Sequence, residues 1–336
     1  MQYDTIRQIV RAAGVGSGEL VLVHFWGEDN ERNYANLFAA AVAAAGASPV
    51  VLQQSRAANQ LLFTHADEAA FGEDYFARFD RFDTVLDLFA QRPVVLGAEL
   101  PAPAMERYRR YIRTLFGKLM QCKRFVQIRL PTAANAEESG LTPEEYIRRL
   151  TAAYQIDYDL LADRCGEVIL RAGAHDHVRL RTGTDCVLEF TLTGRSWHPD
   201  AGDGDWPCGE VYIAPLEHAT HGRVYFDRLF LADSASDPPL EGVTLTVENG
   251  RAVSFDCAAA NAWLQQLAGQ APENTVVCEL GLGLNPGVTD LCGCTVLDEK
   301  ADGTFHIALG ANQMFGGTNH AAVHIDLVGR GQLEFC

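Results

Sequence analysis

Side chains that commonly bind metal ions are concentrated near the end of the chain. The segment 278–328 alternates between polar and apolar residues as β-strands do, and it contains Glu279, His306, His324 and Asp326. Side chains in a strand repeat with a period of two, so His324 and Asp326 should point to the same face. The same alternation places His306 opposite its apolar neighbours. The pattern predicts strands that carry polar groups on one face.

A turn signal lies just before His306. Asp302 and Gly303 separate the run 296–300 from the strand of His306, and an Asp-Gly pair between two extended runs predicts a two-residue hairpin. His306 would then lie on one arm of a hairpin. Small residues such as Ala308 leave room beside it for an ion.

The residue types suit several metals. Zinc, manganese, cobalt and iron sites all use histidine and carboxylate ligands. Two histidines and one carboxylate on one face suit a mononuclear iron site, whereas a two-metal hydrolase needs a bridging carboxylate and more ligands. The alternative is that these groups only pair with one another on a polar strand face. Four candidates within one segment favour the metal site.

Composition limits the classes of function. The chain has 336 residues, enough for two domains, and a formal net charge of −17 argues against binding to nucleic acids or anionic membranes. No apolar run is long enough to span a bilayer, and the first residues resemble an amphipathic helix rather than a signal peptide. The nine cysteines are scattered and odd in number, which predicts reduced thiols in a cytoplasmic protein.

The N-terminal part predicts a Rossmann-like α/β domain. Continuous apolar runs alternate with helical stretches, which indicates a mostly parallel sheet covered on both faces. The runs are 18–25, 48–54, 82–89, 92–98 and 124–130. The glycines at 14–18 precede the first strand, so they cannot form a phosphate-binding turn between a strand and a helix.

A helix is expected to end this domain. Thr142 is a suitable N-cap and Glu145 completes a capping box, so the sequence predicts a strut helix that runs to about Cys165. We therefore expect an α/β domain over 1–165 and a β-rich α+β metal-binding domain over 166–336.

Other polar residues lie in the middle of the second domain. A Gly/Asp-rich loop leads to Trp206 and then to Glu210 at the start of a strand, where a carboxylate is ordinarily solvated. His218 and His221 follow in a loop and have the pattern of surface histidines.

Several of these motifs together resemble a known family. Trp-Pro-x-Gly-Glu-Val-x-x-Ala-Pro over 206–215 is followed by Glu-Leu-Gly-Leu-Gly-x-Asn-Pro over 279–286 and by Asp-Glu-Lys over 298–300. His-Ile-Ala-Leu-Gly over 306–310 and His-x-Asp over 324–326 complete the pattern. In order and context it resembles the M29 metallo-aminopeptidases of the aminopeptidase T type, over about the C-terminal half of the chain.

The resemblance implies a function and a ligand set. It implies a cytoplasmic hydrolase that cleaves the N-terminal amide bond of a short peptide with a metal-activated water, and it implies a homodimer. It carries over a site for zinc, cobalt or manganese to Glu279, His306, His324 and Asp326, with Glu210 as a further ligand or the general base. One departure is Gln313, which stands where the family has a tyrosine.

The chain is also similar to the 2,5-dihydroxypyridine 5,6-dioxygenases, which share this fold. The similarity lies in 312–328, but the dioxygenases have a histidine at the position of Glu279 and no equivalent of His306. In this alternative, an iron(II) ion would cleave a hydroxylated heteroaromatic ring, and the substrate pocket would contain Trp206, His218 and His221. The ligand inventory favours the hydrolase, and a third interpretation is a member that binds metal without catalysis.

Overall fold

The structure is a computed structural model that describes residues 1–93, 100–231, 235 and 237–336. In chain order the helices are α1 (Tyr3–Ala12), α2 (Asn33–Ala44), α3 (Arg56–His65), α4 (Glu73–Ala77), α5 (Ala102–Leu119), α6 (Ala133–Glu138), α7 (Pro143–Tyr154), α8 (Tyr158–Ala172), α9 (Ala258–Gln270) and α10 (Thr295–Asp298). Short 3₁₀ helices occupy Asp29–Glu31, Arg78–Arg81, Pro272–Thr275 and Gln313–Phe315.

The strands follow the same order along the chain. They are β1 (Leu20–Trp26), β2 (Ser48–Gln54), β3 (Thr84–Phe89), β4 (Arg124–Arg129), β5 (His177–Thr182), β6 (Cys186–Thr191), β7 (His198–Asp200), β8 (Asp205–Trp206), β9 (Glu210–Ile213), β10 (His221–Leu229), β11 (Leu240–Glu248), β12 (Arg251–Phe255), β13 (Val277–Gly283), β14 (Phe305–Gly310), β15 (His324–Gly329) and β16 (Gln332–Phe335).

The first of two compact units contains the described residues of Met1–Glu138, Thr142–Tyr154 and Gly202–Pro207. Its sheet has the order β2-β1-β3-β4-β8 with all pairs parallel. Leu22 and Val85 on the central strands pack with Leu115 of α5 in an apolar core. The predicted parallel sheet of an α/β fold is confirmed. The predicted run 92–98 lies mostly outside the described residues.

The helix that begins at Thr142 is shorter than expected. Its start is as predicted, because the Glu145 backbone N–H donates to Thr142 Oγ1 at 3.3 Å. The helix ends at Tyr154, however, and a new one begins after Asp157, whose carboxylate accepts from two backbone N–H groups. The continuous helix to Cys165 is therefore wrong. The domain boundary at 165 and the strut role stay predictions.

The second unit contains Ser139–Leu141, Gln155–Ala201 and the described residues of Cys208–Cys336. It has two antiparallel sheets, with the orders β12-β11-β10-β6-β5-β16 and β15-β14-β13-β9-β7. Phe226 of the six-stranded sheet and Phe305 of the five-stranded sheet meet with ring centroids 5.8 Å apart. Phe305 and its apolar neighbours thus face the core, and the opposite face of the five-stranded sheet carries His306.

Two short turns lie beside strands of the second unit. Asn249 and Gly250 both have positive φ and connect β11 to β12, as an Asn-Gly pair between two strand-like runs indicates. The predicted hairpin at Asp302 and Gly303 is wrong, because the chain before it forms the short helix α10 instead of a strand. His306 is therefore not on one arm of a hairpin with 296–300.

Within the described residues, no helix combines the length and the apolar character that crossing a membrane requires.

Candidate metal centre

The candidate ligands lie on neighbouring strands of the five-stranded sheet. Glu279 is on β13, His306 is on β14, and β15 carries both His324 and Asp326. Glu279 is opposite Ala308, which is opposite Asp326, so the two carboxylates share a face. His306 and His324 lie on this face by the same alternation. We call it the site face.

Glu279 lies between the two histidines. Its Oε1 is 3.3 Å from His306 Nε2, and its Oε2 is 3.1 Å from His324 Nε2. Asp326 Oδ1 is 3.6 Å from the same His324 nitrogen. One ligand atom from each of Glu279, His306 and Asp326 lies within 4.8 Å of the others. The side chains are therefore close enough to share one ion or two adjacent ions.

Gly281 provides the space for His306. The two residues are opposite each other in the β13–β14 register, and a Cβ atom at Gly281 would lie 1.9 Å from His306 Nε2. The imidazole ring thus lies directly over the glycine backbone. A side chain at this position would force the ring out of the cluster.

A backbone carbonyl sets the orientation of His324. Its Nδ1 lies 2.8 Å from the carbonyl oxygen of Ala311. A carbonyl can only accept a hydrogen bond, so Nδ1 carries a proton, and Nε2 is the ring nitrogen that faces Glu279 and Asp326. A metal-binding histidine is commonly held in this way.

Glu210 belongs to the cluster and is not solvated. Its side chain is buried, and Lys300 Nζ donates a hydrogen bond to its Oε1. Glu210 Oε2 lies 3.3 Å from His306 Nε2. The expectation of a solvated strand-edge carboxylate is wrong, because β9 pairs with β13 and is covered.

A buried lysine connects Glu210 to two further carboxylates. Lys300 is only 2% exposed, and its Nζ lies 2.9 Å from Glu299 Oε1 and 3.6 Å from Asp200 Oδ2. Sequence reasoning did not identify Lys300, Glu299 or Asp200 as site residues. The Asp-Glu-Lys motif at 298–300 was the available signal for Glu299 and Lys300. Strand periodicity could not identify these two residues, because they follow the short helix α10 and do not lie on a strand.

Burial and charge compete at each ionisable group of the cluster. Burial opposes a charge on His306, but Glu279 and Glu210 outweigh it and raise the histidine pKa to about 9. Burial also opposes ionisation of Asp326, but its hydrogen bond with His324 outweighs it and lowers the pKa to about 2. Burial raises the pKa of Glu210, although Lys300 and His306 partly offset this.

Among the described residues, the cluster has more carboxyl groups than basic groups. One lysine and two histidines face five carboxyl groups, which are Asp200, Glu210, Glu279, Glu299 and Asp326. Burial raises the pKa of Glu299 well above its usual range. Uncompensated buried carboxylates are costly, and a divalent cation would remove that cost.

The residues present fit a divalent ion. Two buried polar atoms, Glu210 Oε2 and His306 Nδ1, have no hydrogen-bond partner in the described part of the chain. Imidazole and carboxylate donors suit zinc, manganese, cobalt or iron. Burial raises the pKa of the nearby Cys278 thiol to about 11.

Aromatic side chains border the cluster where it is partly open. The His324 side chain is 34% exposed, and the ring of Phe315 meets it edge-on at 6.0 Å. Phe315 also meets Tyr212 edge-on at 5.4 Å, and Tyr212 stacks on His198 at 5.5 Å. Burial raises the pKa of Tyr212, with Glu210 next in effect, so its hydroxyl is protonated.

Four other residues named from the sequence lie elsewhere. Trp206 is fully buried in the first unit and stacks on Tyr154, and its pocket role stays a prediction. His221 pairs with Glu189 in the six-stranded sheet at 3.0 Å. His218 is exposed in a turn, and Gln313 is exposed at the start of the 3₁₀ helix Gln313–Phe315. The structure does not bring His218, His221 or Gln313 into the cluster.

Comparison with known proteins shows which family and which folds this chain resembles. A comparison with curated proteins finds no match. The fold is similar to a solved 2,5-dihydroxypyridine dioxygenase from Pseudomonas putida, with a TM-score of 0.66, 15% identity, and coverage of 99% of this chain and 93% of that chain. It is also similar to AmpT from Thermus thermophilus, with a TM-score of 0.65, 19% identity, and coverage of 99% and 97%. The family model described as thermophilic metalloprotease (M29) matches residues 9–334. The chain therefore belongs to the M29 metalloprotease family.

Proposed function

We propose that the chain is a metal-dependent hydrolase that cleaves the N-terminal amide bond of a short peptide. The observation that carries the proposal is the position of Glu279, whose two oxygens face two different histidines. A carboxylate placed in this way suits two adjacent ions, as in two-metal hydrolases. His306, His324 and Asp326 supply the remaining ligands.

The carboxyl groups around the ligands support an amino-terminal substrate. A carboxylate of the cluster that does not bind the metal can accept a hydrogen bond from an ammonium group. An aminopeptidase substrate carries its positive charge close to the bond that is cleaved.

Glu210 is the proposed general base. Lys300 holds its Oε1, while its Oε2 is buried and has no hydrogen-bond partner among the described residues. A carboxylate whose pKa is raised by burial suits proton transfer near neutral pH. It would take a proton from the attacking water as the C–O bond forms and deliver it to the leaving amine as the C–N bond breaks. A bound metal would lower the pKa of that water and polarise the carbonyl group.

The alternative is an iron(II) ring-cleaving dioxygenase. Its support is the fold likeness to the dioxygenase together with a set of two histidines and one carboxylate, His306, His324 and Asp326. This set leaves Glu279 and Glu210 without a role, so we favour the hydrolase.

One experiment separates the two activities. Protein purified without oxygen is analysed for metal content and assayed with aminoacyl-anilides and with dihydroxypyridines. We expect cleavage of anilides with zinc, cobalt or manganese bound. One equivalent of iron with oxygen uptake would instead establish the dioxygenase.

The substitution His324→Ala tests the site itself. We expect kcat/KM to fall by at least about 10³-fold, because a ligand of the metal is lost, while circular dichroism stays unchanged. His221→Ala is the matched control, since it removes an exposed histidine from the same unit. Activity that survives His324→Ala would mean that the reaction occurs elsewhere.

A further inference from the structure

Tyr212 is a polar residue of the site face that is not needed as a metal ligand. It lies two residues after Glu210 on β9, so the two side chains point the same way. Tyr212 is also directly opposite Gly281, over which the ring of His306 lies. The phenol therefore borders the ligand cluster from the neighbouring strand.

Packing fixes the position of the Tyr212 ring but leaves its hydroxyl group without a partner among the described residues. His198, its partner on β7, stacks on one side of the ring, and Phe315 meets it edge-on. Within the described residues the Tyr212 hydroxyl makes no hydrogen bond, and the residue is partly exposed. A fixed ring with an unpartnered hydroxyl at the open side of the cluster is suited to contact a substrate.

Amide hydrolysis needs a hydrogen-bond donor where negative charge develops. Attack of water turns the carbonyl oxygen into an oxyanion, and a positioned donor stabilises it more than it stabilises the substrate. Lys300 is engaged with three carboxylates and is almost fully buried. Tyr212 is the neutral donor beside the ligands among the described residues of this face.

We propose that the Tyr212 hydroxyl donates a hydrogen bond to the oxyanion that forms on the substrate carbonyl. The tyrosine gives up no proton and is unchanged after the reaction. This inference rests on the proposed hydrolase activity, and it assigns a catalytic residue that the ligand motifs do not contain.

Tyr212→Phe tests this role by removing only the hydroxyl. We expect kcat for an aminoacyl-anilide to fall by about 10²-fold, the usual cost of losing an oxyanion donor. KM and metal content should stay unchanged. Tyr225→Phe, on the six-stranded sheet of the same unit, is the matched control and should keep wild-type kcat.

A binding measurement gives a second readout without turnover. An aminophosphonic acid mimics the tetrahedral anion, whereas the free amino acid resembles the product. By calorimetry on metal-loaded protein, Tyr212→Phe should weaken the phosphonate at least about tenfold and leave the amino acid unchanged, as expected for transition-state contacts. Equal affinities for the phosphonate in both proteins would overturn the proposal, and so would an equal loss for both ligands.

The outcomes separate this inference from the proposed function. A wild-type chain that binds the phosphonate but cleaves no anilide contradicts the hydrolase, whereas an active wild type with an equally active Tyr212→Phe variant contradicts only the role of the hydroxyl. A metal-loaded wild type that does not bind the phosphonate contradicts both.

Discussion

Each of the two units buries a histidine against a carboxylate, with different consequences. In the first unit, His24 Nδ1 lies 2.8 Å from Asp87 Oδ1 across β1 and β3, and Trp26 Nε1 donates to the same oxygen at 3.0 Å. In the second unit, His306 lies between Glu279 and Glu210.

The two clusters differ in charge balance and in access. The His24 pair has one histidine for one carboxylate, both completely buried, and Phe116 lies against the histidine ring. The metal centre has a surplus of carboxylates, and His324 is partly exposed. An enclosed pair with one histidine for one carboxyl group suits a structural role, whereas a surplus of carboxyl groups beside an opening suits the binding of a cation. Burial of a histidine and an acid alone does not indicate a functional site.

The largest effect that we expect comes from breaking the enclosed pair. His24→Ala leaves Asp87 buried without its main partner, so the free energy of unfolding should fall by about 3–5 kcal/mol. Urea unfolding measures the loss, and metal affinity of the folded protein should not change.

A double substitution provides the control for this prediction. Replacing both His24 and Asp87 by leucine should recover most of the lost stability, because an apolar pair is often as stable as a buried ion pair. If the single variant loses less than about 1 kcal/mol, a fraction of the usual cost, the pair is not the stabilising element that we describe.

An intermediate effect should follow from filling the space over Gly281. In Gly281→Ala the new Cβ would overlap His306, so we expect metal affinity to fall by about 10–100-fold, as for a displaced or unsupported ligand. Gly269→Ala is the matched control: Gly269 is in α9, a Cβ there meets open space, and alanine should stabilise the helix slightly. Unchanged affinity by calorimetry would show that His306 is not a ligand.

The smallest effect concerns the loop that borders the open side of the metal centre. Glu217 accepts hydrogen bonds from Thr318 N, Asn312 Nδ2 and Arg195. Burial opposes its ionisation, but these donors outweigh burial and lower its pKa. Glu217→Gln should therefore lower the free energy of unfolding by about 1 kcal/mol at neutral pH, the usual size for such hydrogen bonds.

The pH dependence of this stabilisation follows from the direction of the Glu217 pKa shift. Because the pKa is lower in the folded state, the stabilisation is present above the unfolded glutamate pKa of about 4.3 and is lost as the pH falls through the folded value. Thermal unfolding should show the gap between wild type and Glu217→Gln narrowing below about pH 4. Glu241→Gln removes an exposed partner of Arg228 and should change little at any pH. A gap that widens in acid would be inconsistent with this assignment.

The sequence by itself determined the local geometry of the ligand strands. The period of two in β14 and β15 placed His306 away from the core and put His324 and Asp326 on one face, because strand backbones alternate regardless of what they pair with. Asn249 and Gly250 specified their turn because both positions require positive φ. The continuous apolar runs of the first unit indicated buried parallel strands for a similar reason, since both faces of such strands are covered.

Only the tertiary structure decided which charges meet. Glu210 and Lys300 are ninety residues apart, and their contact depends on β9 pairing with β13 and on the chain turning through α10 before β14. Strand pairing and burial depend on packing between segments distant in sequence, so periodicity could locate the ligands along the chain but could not show that a lysine lies among them.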